Sequence, residues 1–334
     1  MTKFLISLFG ATLVAGCAGM HTRHSELGDR PADSTVPSSL APSPESSGNK
    51  NPISISQVNM PPLAPVTTTP APALARSKDI PNGESARIGL LLGPGGLRAY
   101  AHVGVIQEFV KAKTPIVAVA GLEMGALVGG IFANKGQTYD VEWQMSKLHE
   151  EDFVKKSLMT SSKPQDITVL KGFLQKALGS GKAEDSKLPF ACPAFQIAKR
   201  QVYMMSRGPF ASMLEYCLPF SPLFRPFEQN VAALTSISAA VQFLRSKGAN
   251  YIVYVDLLGE KKTPFFADAD SNENISWSLV EEDILAQLYV VNKIVPVSLQ
   301  GFNLNDFSKR RDMIQRGQDA GRAASRELQT ELGL

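Results

Sequence analysis

The stretch VAVAGLEMGALVGG, Val117 to Gly130, decides how this chain is read. Alternating valine and alanine predict a buried strand, Gly-Leu-Glu-Met-Gly a tight turn, and the small residues that follow a closely packed helix. That is the layout of a nucleophile elbow, G-x-S-x-G, in which a strained strand-to-helix turn lifts a serine hydroxyl above a sheet. Glu123 stands at the serine position. The stretch therefore predicts the elbow's shape with a carboxylate where the attacking alcohol belongs.

Upstream lies ARIGLLLGPGGLRAYAHVGVIQEFVKA, from Ala86. IGLLL is a continuous apolar run of strand length, as expected for a strand covered on both faces. Gly93, Gly95 and Gly96 follow, then a helical pattern from about Ala99. A glycine turn between strand and helix offers backbone N–H groups to an anion. Its spacing is neither a Walker A loop nor the dinucleotide fingerprint, and no Lys-Ser/Thr follows to hold a nucleotide's metal.

The order of these pieces carries more than any one of them. G-P-G-G-L-R, A-H-V-G-V, a helix, the strand PIVAVA and then G-L-E-M-G resemble the patatin-like phospholipase family, with its G-G-G-x-R-G, A-H-x-G-V and G-x-S-x-G. Looser likenesses follow. RGPFASMLEYCLPFSPLFRPF resembles the family's helix and A-S-x-x-x-P turn, with Cys217 and Leu218 at the alanine and serine places before Pro222. SKGANYIVYVD resembles its later G-A-D strand, and DFSKRRDMIQRGQDAGRAA its C-terminal helix. The resemblance runs from about Arg87 to Ala324. It implies a three-layer α/β/α sandwich with a mostly parallel central sheet.

For intact members the resemblance implies a Ser-Asp dyad that hydrolyses lipid acyl esters, with glycine-loop N–H groups holding the oxyanion. Gly95 and Gly96 fall on the oxyanion-loop positions and Arg98 on the loop arginine, where anchoring loop carbonyls is at least as good a role as touching substrate. Pro94 replaces one family glycine and removes a donor. His102 matches the A-H-x-G histidine and reads as a packed helix residue. The family aspartate comes from a D-G-G or D-G-A turn. Counting back from GANYIVYVD places that turn near Glu228-Gln229-Asn230, within a few residues, and the chain contains no D-G dipeptide. Asp256 aligns with the non-catalytic end of the later strand.

Both members of the dyad are thus altered. A carboxylate attacking an ester would form a mixed anhydride, and no basic partner is evident. A glutamate at a helix N-terminus is electrostatically favoured, and its oxygens can accept the N–H groups an enzyme keeps for the oxyanion. The expectation is a catalytically silent protein that binds lipid, a fatty-acyl ligand or an envelope partner. The alternative is a hydrolase in which Glu123 activates water, or in which Ser238 or Cys217 attacks. A structural envelope protein with an unliganded cleft is a third possibility. No cofactor or metal is expected, since His149 lacks a second ligand at helical spacing.

The N-terminus bears on location. Lys3 precedes the apolar run FLISLFGATLVAG, which is short for a membrane span, and LVAGC resembles a bacterial lipobox. On this reading 1–16 is a signal peptide and Cys17 is lipidated, the alternative being an ordinary secretory signal. More than one acyl chain gives lasting anchorage. The mature protein would sit on a membrane facing the periplasm or the exterior. Ala18 carries no obvious inner-membrane retention signal, which favours the outer membrane. Residues 17–85 are rich in Pro, Ser and Thr and read as an extended disordered tether, with His21 and His24 as solvated tail. Residues 86–334 turn globular and suffice for one α/β domain. With 34 basic against 31 acidic residues and a net charge of +3, nucleic acid is not an expected partner.

Three expectations remain. Cys192 and Cys217, both in apolar surroundings, read as two free buried thiols in preference to a disulfide. YDVEWQMSKLHEEDFVKKSLM reads as helical, with Trp143, Met145 and Leu148 packed on the domain or lining a cleft entrance in preference to facing a membrane. The closing KRRDMIQRGQDAGRAASRELQTELGL reads as an amphipathic helix with a solvated charged face.

Overall fold

A computed structural model describes residues 80, 84–153, 164–221, 223–259, 266, 269 and 271–334, all within one unit of the chain. Cys17, the signal, the tether with His21 and His24 apart from residues 80, 84 and 85, and Pro222 lie outside the described residues.

The strands are β1 (Ile88–Leu92), β2 (Ile116–Gly121), β3 (Phe190–Gln196), β4 (Gln201–Met205), β5 (Asn230–Ala232), β6 (Tyr251–Asp256) and β7 (Lys293–Pro296). The helices are α1 (Tyr100–Lys111), α2 (Met124–Lys135), α3 (Thr138–Ser146), α4 (Glu150–Phe153), α5 (Lys171–Leu178), α6 (Phe210–Cys217), α7 (Ile237–Ser246), α8 (Ser271–Gln287) and α9 (Arg310–Leu332). The sheet order is β4-β3-β2-β1-β6-β7, with β5 pairing to the outer half of β3. The run from β3 to β7 is parallel, and β4 and β5 are antiparallel to β3.

Every residue of β1 and β6 is buried, which is why IGLLL and YIVYV show no polar alternation. Successive side chains still part to opposite faces. Ile88, Leu90, Leu92, Val119 and Val253 join a core with α1, α2, α5, α6 and α9. Leu91, Ala118, Ala120, Ile252 and Tyr254 join a second core with α7 and α8. Two cores on either side of one sheet make the three-layer α/β/α sandwich the sequence predicts.

From β1 the chain moves outward through β2 to β3, then returns to β6 on the other side of β1. The carboxyl end of β1, beside that of β6, therefore lies at a topological switch point, where open α/β sheets place their ligand crevice.

Two expectations are corrected. Cys192 and Cys217 form a disulfide, with Cα atoms 6.0 Å apart. Apolar flanks suit a buried thiol and a buried bridge equally; what decides is that α6 ends over β3. Trp143 is not packed: it is 50% exposed, whereas Met145 and Leu148 are buried. On α3 the buried face is Val141 and Met145, and Trp143 lies on the opposite side.

Candidate functional site

The elbow has formed. β2 ends at Gly121, α2 begins at Met124, and Glu123 between them holds φ 51° and ψ −125°. Positive φ in a residue with a side chain costs on the order of 1–3 kcal/mol and persists only where the surroundings impose it. Here they do. A Cβ on Gly125 would lie 2.6 Å from the Leu92 carbonyl oxygen, and one on Gly121 would run into the backbone of Gly125 and Ala126. Leu122 N–H donates to Leu92 O at 2.9 Å, pinning the turn to the end of β1.

The glycine loop lies against this turn. Gly93 N–H donates to Val255 O (3.0 Å) and Leu97 N–H to Leu304 O (2.8 Å), so the loop is tied to the ends of β6 and of the segment after β7. Gly96 holds φ 57°, and a Cβ there would meet Leu304 O at 2.9 Å. Gly93 to Tyr100 is buried without a break.

Gly95 and Gly96 donate their N–H groups to one oxygen of Glu123, Oε2, at 3.1 and 3.0 Å. The residue at the serine position thus occupies both donors at the expected oxyanion positions. Glu123 is 5% exposed. Burial pushes its carboxyl above the ordinary carboxylate range, opposed by the N–H groups of Met124, Gly95 and Gly96.

The raised value has a stability consequence. A carboxyl whose folded pKa exceeds its unfolded one contributes fully below the unfolded value and loses that contribution as pH rises through the folded value. Glu123→Gln keeps an acceptor for both N–H groups and removes the titration. The variant should match wild type near pH 4 and become progressively more stable than it with rising pH. Urea unfolding of both across pH 4–9 checks this; parallel pH profiles would contradict it.

Arg98 is buried and anchors the loop. Nε and Nη2 donate to Phe302 O (3.0 and 2.6 Å), Nη1 donates to Leu257 O (3.1 Å), and the guanidinium lies 4.3 Å from the Phe266 ring centroid. His102 is fully buried, with Nε2 2.8 Å from Gly93 O, and burial lowers its pKa to about 4. The ring is therefore neutral at neutral pH and donates to that carbonyl, holding the start of the loop.

Glu228 is not brought to Glu123. It is exposed at the tip of a two-residue turn, where Phe227 pairs with Asn230, and it accepts the Tyr216 hydroxyl at 2.7 Å. Glu228 and Gln229 hold φ 46° and 62°, a conformation that glycine adopts at little cost. Nor do the other candidate nucleophiles have the groups attack needs. Cys217 is in the disulfide, and Ser238 Oγ donates to the Gln287 amide oxygen (3.2 Å), which is no base.

Residues with no part in the site expected from sequence complete the surroundings. Leu257 and Leu304 cover Gly95 and Gly96, and the Tyr254 hydroxyl packs beneath Gly93. Asp256 accepts the Leu258 N–H (3.0 Å); burial raises its carboxyl to about 6, against lowering by backbone N–H groups and Arg98. The apolar character of YIVYVD shows burial, but not that its aspartate would face the loop arginine.

Among the described residues no group of three His, Cys, Asp or Glu is placed to hold a metal ion, and no helix is long and apolar enough to cross a membrane.

Comparison with known proteins bears on the family alone. A family profile described as patatin-like phospholipase matches residues 90–256. An uncharacterized NTE family protein of Mycobacterium bovis is 26% identical over 219 residues, covering 62% of this chain and 58% of its own length. The lysophospholipase NTE1 of Meyerozyma guilliermondii is 25% identical over 179 residues, covering 51% of this chain and 12% of its own. The chain thus spans less than two thirds of the length of these curated relatives. Among solved structures, VipD from Legionella pneumophila overlays with a TM-score of 0.45 at 12% identity, covering 73% of this chain and 67% of that one.

Proposed function

The chain belongs to the patatin-like phospholipase family, and we propose that it is a member without acyl-transfer chemistry, which binds lipid or an envelope partner while anchored to a membrane through Cys17. The observation that carries this reading is the pair of hydrogen bonds from Gly95 and Gly96 to Glu123 Oε2.

Ester cleavage by this architecture needs a hydroxyl nucleophile, a base to take its proton, and free N–H donors for the charge that develops on the carbonyl oxygen. Residue 123 has no hydroxyl, and its oxygen holds the two donors. In its ionised form it would also repel a developing oxyanion and a free fatty-acid carboxylate, which favours neutral, hydroxyl-rich or cationic head groups. A water-activating glutamate would have to direct its carboxylate at a water and leave the N–H pair to the substrate. The observed bonds favour the silent reading over that one.

The Cys192–Cys217 bridge supports the envelope location independently of the lipobox. Disulfides persist in oxidising compartments and are rare where thiols are kept reduced.

The test is hydrolysis of lysophosphatidylcholine and of a p-nitrophenyl acyl ester by the full chain, alongside Glu123→Gln and Glu123→Ser. All three should stay at the buffer rate. The serine variant regains an alcohol but has Glu228 bonded to Tyr216 rather than beside it. Turnover by wild type that disappears in Glu123→Gln would replace this reading with the water-activating one.

A further inference from the structure

We propose that the solvent face of α3 is a docking surface for a lipid bilayer. Tyr139 is 71% exposed and Trp143 50% exposed. They are one helical turn apart, with near-parallel rings whose centroids lie 6.5 Å apart. One turn further on, Lys147 Nζ sits 4.5 Å from the centre of the Trp143 ring. The helix thus presents a phenol, an indole and an ammonium in line, while Val141 and Met145 fix its other face to the core.

Phenol and indole rings leave water readily but keep one polar edge, so they settle at the bilayer interface, and an adjacent lysine can extend to lipid phosphates. Position in the fold strengthens the choice of occupant. The Tyr100 hydroxyl donates to Met145 O (3.2 Å) and Arg310 Nη1 to Ser146 O (3.2 Å). The C-terminal end of α3 is therefore held at the rim that carries the glycine loop. The first turn of α9 adds exposed Arg311 and Asp312 to that rim, Lys309 before it is paired with Asp306 (3.3 Å), and Glu142 on α3 accepts the Gln107 amide (2.8 Å). Acids and bases alternate around this rim, so it is the Tyr139–Trp143–Lys147 row, and not net charge, that fits a bilayer interface. Other exposed apolar side chains include Ile275 and Leu279 on α8, a helix with no lysine or arginine to reach lipid phosphates.

The anchorage proposed above would bring the domain within reach of a bilayer, but the inference does not require it. The test removes it. The full chain carrying Cys17→Ser is mixed with vesicles of phosphatidylcholine alone and of phosphatidylcholine with phosphatidylglycerol at three to one. Partition is read by co-sedimentation, and depth by tryptophan quenching with brominated lipid. Wild type should partition on both vesicles. Tyr139→Ala/Trp143→Ala should weaken it at least tenfold without lowering the melting temperature, whereas Ile275→Ala/Leu279→Ala should leave it unchanged. Quenching should vanish in Trp143→Phe, where the remaining Trp277 is buried. Equal partition by wild type and the Tyr139/Trp143 variant, no partition by either, or quenching that survives in Trp143→Phe would overturn the proposal.

Discussion

Replacing Gly317 by alanine should cost about 3 kcal/mol or more and release α9 from the domain, at the upper end of what overpacking a core produces. A Cβ on Gly317 would fall on the Ala101 carbonyl oxygen and lie 2.7 Å from the carbon of the same group. On the facing helix, a Cβ on Gly104 would fall on Ile314 O and lie 2.9 Å from Gly317 C. The obstacles are backbone atoms of α1 and α9, so no side-chain rotation relieves them. One turn along, a Cβ on Gly321 would meet Val105 Cα at 2.9 Å. α9 is charged over most of its surface, and its attachment relies on a narrow seam that includes Met313, Ala324 and Leu328. Separating the helices by even part of a Cβ diameter loosens that seam. Gly172→Ala is the matched control: it lies in α5, a Cβ there meets nothing within 4 Å, and helix propensity alone should stabilise it by about 0.5–1 kcal/mol. Urea unfolding of the three proteins decides. A Gly317→Ala variant as stable as wild type would mean that α1 and α9 do not meet as described.

Reducing the Cys192–Cys217 bridge should have the second largest effect. The bond closes a loop of 25 residues between β3 and α6. Constraining the unfolded chain by that much is worth about 3 kcal/mol in the chain-entropy account, which for a domain of this size is a drop of roughly 6–12 °C in melting temperature. Both sulfurs are buried, so the reductant acts once the region has opened. Melting wild type and Cys192→Ala/Cys217→Ala with and without dithiothreitol separates the effects. Reductant should lower the wild-type transition towards that of the variant and leave the variant unmoved. A wild-type transition indifferent to reductant would return these cysteines to free thiols.

These two expectations show where local pattern stops being informative. Apolar residues around each cysteine indicate burial, and burial is common to both oxidation states. Only the approach of the end of α6 to β3 decides between them. Likewise, the closing helix is evident from its amphipathic pattern, but the importance of Gly317 appears only once Gly104 of another helix lies opposite it. The exposure of Trp143 has a related cause: α3 has apolar or aromatic residues on two faces, and helical spacing does not say which face the core takes.

What the sequence by itself determined was the elbow, the glycine loop and the layered α/β architecture. Each is written in residues close together in the chain, and glycines at Gly121, Gly125 and Gly96 stand where no larger residue fits. It also determined that residue 123 carries no alcohol. What only the tertiary structure decided was where the Glu123 carboxyl points, which groups cover the loop, and that Glu228 belongs to Tyr216. These depend on segments separated by 27 residues in the case of Gly96 and Glu123, and by 204 for Arg98 and Phe302. A hydrogen bond across such a distance in sequence leaves no periodicity in either segment, because its partner is supplied by packing alone.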